Sequence, residues 1–250
     1  DIQESLIIDV NQELILAYQT IKKDVDSLIK SLSILEKKYL AKEQEERKDF
    51  FYKTREAFNS NLQKIDFDHF SDAWVERTMQ TIFLNRTCFN GLFRVNSKGG
   101  FNVPFGDHKN PKICYEENLQ SISSLIQNTT ILKGDFTMSK DFIDSETFVY
   151  FDPPYRPLNK TSSFTSYSKF EFTDEEQLKL AMFFEEMDQK GAKMLLSNSD
   201  PKNENPEDNF FEEAYNKYEI YRVKASRAIN SKANKRGKIN ELIIPNYPIE

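Results

Sequence analysis

Phe148-Val149-Tyr150-Phe151-Asp152-Pro153-Pro154-Tyr155 is the stretch from which the fold is read. Bulky residues with strong strand preference run into a carboxylate, two prolines and an aromatic ring. A continuous apolar run closed by a turn signal is expected to be a buried strand of a parallel sheet. Pro153 and Pro154 have no N–H for a ladder, so the strand ends before them and Asp152 stands at its carboxyl tip. Ligands of open α/β sheets bind at the carboxyl ends of the strands. One explanation is a strand that simply stops at a proline turn. The other is chemical: the Asp152 carboxylate and the Pro153 carbonyl are two acceptors at one spot, suited to the two hydrogens of an amino group. Pro153 brings no competing donor, Pro154 completes the turn, and Tyr155 offers a flat ring for a planar base. The set fits a planar, amine-bearing substrate such as adenine.

Upstream, Ser5–Asn11 is expected to be a short strand ending in the acid Asp9. Asn11 then caps a helix with Leu14, Ile15, Tyr18, Ile21 and Val25 at helical spacing. Asp9 is either an ordinary strand-to-helix aspartate or a ribose-binding acid of a nucleotide fold. Residues 28–59 are charged and helical in pattern, and Ser71 or Asp72 starts a further helix with an apolar stripe. Phe93–Asn96 and Phe101–Phe105, joined by Ser97-Lys98-Gly99-Gly100, are expected to pair as a β-hairpin. A two-stranded ribbon carrying Arg, Lys and Asn is also a size that enters the major groove. Beyond it lie a helix over Glu117–Asn128, a strand over Thr130–Phe136 with Asp135 and Phe136 at its end, an acidic helix over Asp174–Asp188, and a strand from Ala192 running into Ser197-Asn198-Ser199. Tyr218–Val223 and Glu241–Pro245 are expected to pair antiparallel. The Ser/Thr-rich segment from Arg156 to Phe172 reads as a binding loop, and 203–208 as a flexible one.

These residues carry a resemblance. Asp152–Tyr155 looks like the catalytic motif of amino-directed, S-adenosylmethionine-dependent methyltransferases. Leu84–Gly106 is similar, almost residue for residue, to the target-recognition hairpin of the Dam-like DNA adenine-N6 methyltransferases (D12 class, alpha group). The resemblance implies an α/β fold: a Rossmann-like methyltransferase sheet with an antiparallel C-terminal edge pair and an inserted helical and hairpin recognition domain. The catalytic domain would span 1–45 and 113–250, and the DNA-recognition domain 46–112. It further implies Asp152, Pro153, Pro154 and Tyr155 as catalytic residues. Asp9 would bind the ribose of S-adenosylmethionine, and Asp135 its adenine amino group with Phe136 beside that ring. On double-stranded DNA, commonly at GATC, Arg94 would contact a base edge, with Asn90, Leu92, Asn102 and Pro104 in the same groove. Lys98 and Lys109, and Lys232, Lys235 and Arg236 of the basic loop, would touch phosphate. A monomer in the cytoplasm, working alone or beside a cognate restriction endonuclease, is the expected setting.

Two departures stand against the family pattern. Its Lys- and Gly-containing opening and the Gly-rich cofactor loop are not found among these 250 residues, which hold only seven glycines. A fragment, a second polypeptide supplying the loop, or a chain without activity would each explain that. Asp107 occupies a position where relatives often carry a basic residue. The rivals are a DNA-binding module without catalysis, and an RNA or protein-amide methyltransferase, whose members usually carry Asn in place of Asp152 and need no such hairpin.

Composition allows this assignment without selecting it. Hydrophobic residues make up 38% and aromatics 13%, enough for a substantial core, and no stretch approaches the length of a membrane span. The net charge of −6 argues weakly against a nucleic-acid partner, but its distribution argues for one. From Arg222 to Asn240 seven basic residues occur with no acid, while acids concentrate in 171–188 and 204–213. Cys88, Cys114, His69 and His108 have no metal-ligand spacing, so no zinc site is expected.

Overall fold

The computed structural model describes residues 2–96, 98–157, 172–226 and 238–249. It is a mixed α/β protein of two compact units divided after Asp135. In the first, β1 (Ser5–Asp9) pairs in parallel with β2 (Thr129–Lys133), in register from Ser5↔Thr129 to Asp9↔Lys133. Parallel strands need a long crossover. Here it is helical, through α1 (Gln12–Lys23), α2 (Val25–Leu40), α3 (Gln44–Ser60), α4 (Asp72–Thr87) and α5 (Glu116–Leu125). The starts of the first three of these helices follow from polar side chains. Asn11 accepts from the Glu13 and Leu14 amides, Asp24 from the Ser27 amide, and Glu43 and Glu46 form a reciprocal capping box. Residues 28–59 therefore hold parts of two helices, not one.

Leu28, Leu32, Tyr39, Phe51, Phe58 and Phe83 are buried among these helices. Beside them lies a charged pair. Arg77 on α4 is 2% exposed and Glu13 on α1 is 7% exposed. Arg77 donates from Nε and Nη2 to the two Glu13 oxygens at 2.9 and 2.6 Å, and from Nη1 to the Phe58 carbonyl. Its guanidinium lies 3.4 Å from the centre of the Phe58 ring. One arginine thus links α1, α3 and α4, with its charge matched inside the core.

In the second unit, β3 (Phe148–Phe151), β4 (Lys193–Ser199), β5 (Tyr221–Ser226) and β6 (Lys238–Pro245) form one sheet in the order β3-β4-β6-β5. β3 and β4 are parallel, and β6 runs antiparallel to both β4 and β5. The helix α6 (Asp174–Gln189) lies between β3 and β4 in the chain, and α7 (Phe210–Ala214) follows β4. Thr173 caps α6, and Asp174, Glu175 and Glu176 in its first turn suit the positive end of the helix dipole. Phe151, Leu180, Phe184, Met187, Met194, Leu196, Phe211, Tyr215, Leu242 and Ile244 are its core.

The structure differs from expectation at several points. β3 is not a buried strand: Phe148 and Tyr150 are 58% and 54% exposed, and only Phe151 is buried. An apolar run specifies a strand but not which neighbours cover it, and among the described residues β3 is hydrogen-bonded only to β4. The expected hairpin is reduced to isolated bridges, Val95↔Phe101 and Cys88↔Phe105. Phe136 opens a 3-10 turn (Phe136–Ser139) beyond the end of β2. Residues 203–208, by contrast, form a loop as expected, with turn hydrogen bonds from the Asn203 N–H to the Asp200 carbonyl and from the Asp208 N–H to the Asn205 carbonyl. Among the described residues no helix is long and apolar enough to cross a membrane.

Candidate functional site

β3 delivers Asp152 to its carboxyl tip, where the residue is exposed. Ser197, at the end of the neighbouring strand β4, donates from Oγ to Asp152 Oδ1 at 3.1 Å and shares a 3.0 Å hydrogen bond with the Tyr150 hydroxyl. Parallel pairing with a register of Phe151↔Leu196 brings the two strand ends side by side. Tyr155 turns its hydroxyl toward Glu241 of β6, at 3.5 Å. Partial desolvation, then the charges of Glu241 and Asp152, push its phenol above the ordinary value, while a Ser197 hydrogen bond opposes them.

The backbone after Asp152 is held from beneath. Gln177 of α6 donates from Nε2 to the Pro154 carbonyl at 3.0 Å and accepts from Asn198 Nδ2 at 3.1 Å. Asn198 Oδ1 accepts from the Arg156 amide at 2.9 Å, and Ser199 Oγ donates to the Arg156 carbonyl at 2.6 Å. The Arg156 side chain donates to both oxygens of Asp174 at 2.7 and 3.0 Å and to Asp208 at 2.8 Å, with the Phe210 ring 4.3 Å from its guanidinium carbon. The Asp174 hydrogen bonds outweigh its burial and hold that guanidinium firmly charged. Gln177, Asn198, Arg156 and Glu241 were not foreseen. The polar run Ser197-Asn198-Ser199 at a strand end was the available signal, whereas one glutamine on an acidic helix carries none.

In the first unit, Asp9 and Asp135 both fall at the carboxyl ends of paired strands, β1 and β2. The Gly134 amide donates to the Asp9 carbonyl at 3.1 Å, and Asp9 Oδ1 accepts from the Asn11 amide at 2.6 Å. Asp135 is exposed. Two carboxylates at the carboxyl end of a parallel pair are acceptors, the chemistry that ribose hydroxyls and an adenine amino group call for. Phe136 belongs to the second unit, where its ring packs 5.3 Å from Phe183 and 6.4 Å from Phe172.

The segment 84–106 is tightly organised although it is not a regular ribbon. Asn90 and Gly91 adopt φ of 57° and 62°, and the Asn85 side chain donates to the Gly91 carbonyl at 2.7 Å. The Phe89 amide donates to the Pro104 carbonyl at 2.9 Å and the Asn102 amide to the Arg94 carbonyl at 3.1 Å. At the tip, Asn96 Oδ1 accepts from the Lys98 and Gly100 amides, both at 3.0 Å. Two α3 residues grip the second arm: Asn59 donates to the Phe101 carbonyl at 3.0 Å and accepts from its amide at 2.8 Å, and Arg55 donates to the Val103 carbonyl at 3.2 Å. A side-chain amide here takes the place of a missing strand neighbour.

Arg94 donates from Nε to Asn102 Oδ1 at 2.8 Å. Asn90, Lys98, Pro104 and Lys109 are exposed, and Leu92 is half-buried. Asp107, at φ 53°, accepts from the Gln44 side chain. Lys232, Lys235 and Arg236, and most of the 156–172 loop, lie outside the described residues. Of the basic run, Arg222 is engaged with Asp200, at 2.9 Å, and with Glu212. Among the described residues no group of acids, histidines and cysteines is arranged to hold a metal.

Residues 1–229 match the model of the D12 class N6 adenine-specific DNA methyltransferases. The chain belongs to that family and is an adenine-specific DNA methyltransferase. It is 49% identical over 248 residues to the type II methyltransferase M.MjaIII of Methanocaldococcus jannaschii, covering 99% of this chain and 81% of that protein. With the type II methyltransferase M1.LlaDCHI of Lactococcus lactis subsp. cremoris it shares 38% over 247 residues, 98% of this chain and 80% of the relative. The DNA adenine methylase of Haemophilus influenzae is 33% identical over 239 residues, 95% and 76% of the two chains.

Proposed function

We propose that the chain methylates the exocyclic N6 of a flipped-out adenine in a specific duplex sequence, GATC or a close variant, with S-adenosylmethionine as donor. The observation that carries this is the Asp152–Tyr155 turn, with its carboxylate exposed and its backbone anchored. The adenine nitrogen is a poor nucleophile because its lone pair is delocalised into the ring. Asp152 and the Pro153 carbonyl accept its two hydrogens and draw it toward tetrahedral geometry, which frees that lone pair. Ser197 fixes the Asp152 rotamer for this task. Tyr155 stacks on the extruded base and offsets part of the few kcal/mol that unstacking costs. Asp9 would hold the ribose of S-adenosylmethionine and Asp135 its adenine, and the bound cofactor supplies the sulfonium methyl group.

In the same proposal, 46–112 reads DNA, within a Rossmann-like catalytic framework formed by 1–45 and 113–250. Arg94 reads a guanine, Asn90, Leu92, Asn102 and Pro104 line the groove, and Lys98, Lys109 and the basic loop with Lys232, Lys235 and Arg236 contact phosphate. The type II names of the relatives support a role beside a cognate endonuclease. The test is to incubate the complete protein with isotopically labelled S-adenosylmethionine and duplexes with and without GATC. N6-methyladenine found by mass spectrometry in the GATC duplex is expected. Label on cytosine, on RNA or on protein would overturn the assignment.

A further inference from the structure

The anchoring of the Asp152–Tyr155 turn is more selective than a proline turn needs. After Asp152 the backbone offers carbonyls at Pro153, Pro154, Tyr155 and Arg156; among the described residues no hydrogen bond reaches those of Pro153 and Tyr155, and the Pro153 carbonyl is the one that adjoins Asp152. The Pro154 carbonyl is taken by Gln177 Nε2 at 3.0 Å, and the Arg156 carbonyl by Ser199 Oγ at 2.6 Å. The Arg156 amide is taken by Asn198 Oδ1 at 2.9 Å. Gln177, Asn198 and Ser199 are 1%, 0% and 4% exposed, so these partners are buried polar groups aimed at the turn from below. Asn198 Nδ2 donates to Gln177 Oε1 at 3.1 Å, and Asn198 Oδ1 also accepts from the Ser199 amide at 2.9 Å. Each polar side-chain atom of Gln177, Asn198 and Ser199 has a partner, and a buried network of this kind fixes one geometry.

We propose that Gln177 and Asn198 are positioning residues for methyl transfer. By capturing the Pro154 and Arg156 backbone they leave the Asp152 carboxylate and the Pro153 carbonyl as the acceptors offered to the substrate amine. The inference rests on the role given above to Asp152. Neither side chain touches the base. Their effect runs through the placement of the Pro153 carbonyl, where an error near 1 Å lowers a rate by about 10²-fold.

The experiment uses the complete protein. Gln177→Glu keeps the acceptor for Asn198 and, assayed at a pH high enough that its rate no longer changes with pH and the carboxyl is ionised, replaces the donor to Pro154 by a second oxygen, which repels that carbonyl. The readout is the single-turnover methyl-transfer rate constant, which does not depend on the fraction of protein that is folded, together with DNA affinity and KM for S-adenosylmethionine. The expected result is a rate constant lowered by about 10- to 100-fold with both binding constants unchanged. A wild-type rate constant in folded Gln177→Glu would overturn the proposal, and so would a loss confined to KM. If that variant does not fold, Asn198→Ala decides in its place. It removes the acceptor of the Arg156 amide and the donor that orients Gln177, and a lowered rate constant at unchanged binding supports the positioning role while an unaltered one refutes it. Asp152→Ala is measured alongside. A near-normal rate in Asp152→Ala would sink the assignment of Asp152, whereas a strongly impaired Asp152→Ala with a fully active Gln177→Glu would sink only the positioning role.

Discussion

Replacing Arg94 by alanine separates sequence reading from simple attraction to DNA. A guanidinium has five N–H groups, and in Arg94 the one on Nε is committed to Asn102 Oδ1 at 2.8 Å. Both terminal nitrogens remain, in the forked geometry that matches O6 and N7 of guanine. Asn102 also prevents rotation of that fork, because it sits on the opposite arm and its amide is itself bonded to the Arg94 carbonyl at 3.1 Å. One bidentate contact of this kind is worth about 1–3 kcal/mol of discrimination, or about 5- to 150-fold. The assay is kcat/KM on a panel of duplexes of equal length, each carrying one substituted base pair in the target. Arg94→Ala should flatten the preference at one position by that factor and leave the others intact. Arg94→Lys, which keeps the charge but loses the fork, should relax the same position with less loss of affinity. An equal loss on every duplex would make Arg94 a phosphate contact and refute the reasoning.

Three further outcomes follow from the packing. Glu13→Ala leaves the Arg77 guanidinium buried and unmatched and should lower stability by about 3–5 kcal/mol in urea denaturation; a loss under about 1 kcal/mol would mean that the pair behaves as a solvated one. Gly106→Ala would drive a Cβ into the Cys88 carbonyl, which is backbone and cannot step aside, and should cost about 1–3 kcal/mol, read as a lowered melting temperature. Burial works against charge on Asp208, but the Arg156 hydrogen bond and the Phe210 amide outweigh it and hold its carboxyl below the ordinary value. Stability from that group is therefore present above the unfolded-state value of about 4 and is lost as pH falls through the folded-state value, so Asp208→Asn should flatten the acid limb of a stability–pH curve.

Much of the local structure was legible because it depends on neighbours in the chain. Asn11 could be named as a cap, and the run 148–151 as a strand, because caps and apolar runs act over a few residues. Asp152 could be placed at a strand tip because two prolines forbid anything else. Contacts set by the sheet register were not legible. Ser197 meets Asp152, and Gln177 meets Pro154, only after β4 and α6 have folded onto β3, and nothing near 152 in the chain encodes them. The segment 84–106 shows a similar limit. Its turn residues were readable, but Asn59, from another helix, supplies much of the pairing that a second strand would give. Arg222 shows why a basic run overstates the cation available to DNA, since Asp200 and Glu212 already neutralise it.

The central claim is that the Asp152 carboxylate grips the amino group being methylated. The most direct measurement is the single-turnover rate of adenine methylation by Asp152→Ala, with DNA affinity determined on the same preparation. Loss of a preorganised hydrogen-bonding group of this kind should lower the rate by about 10²- to 10³-fold or more while affinity stays close to wild type. A near-normal rate, or a loss explained wholly by weaker DNA binding, would contradict the account.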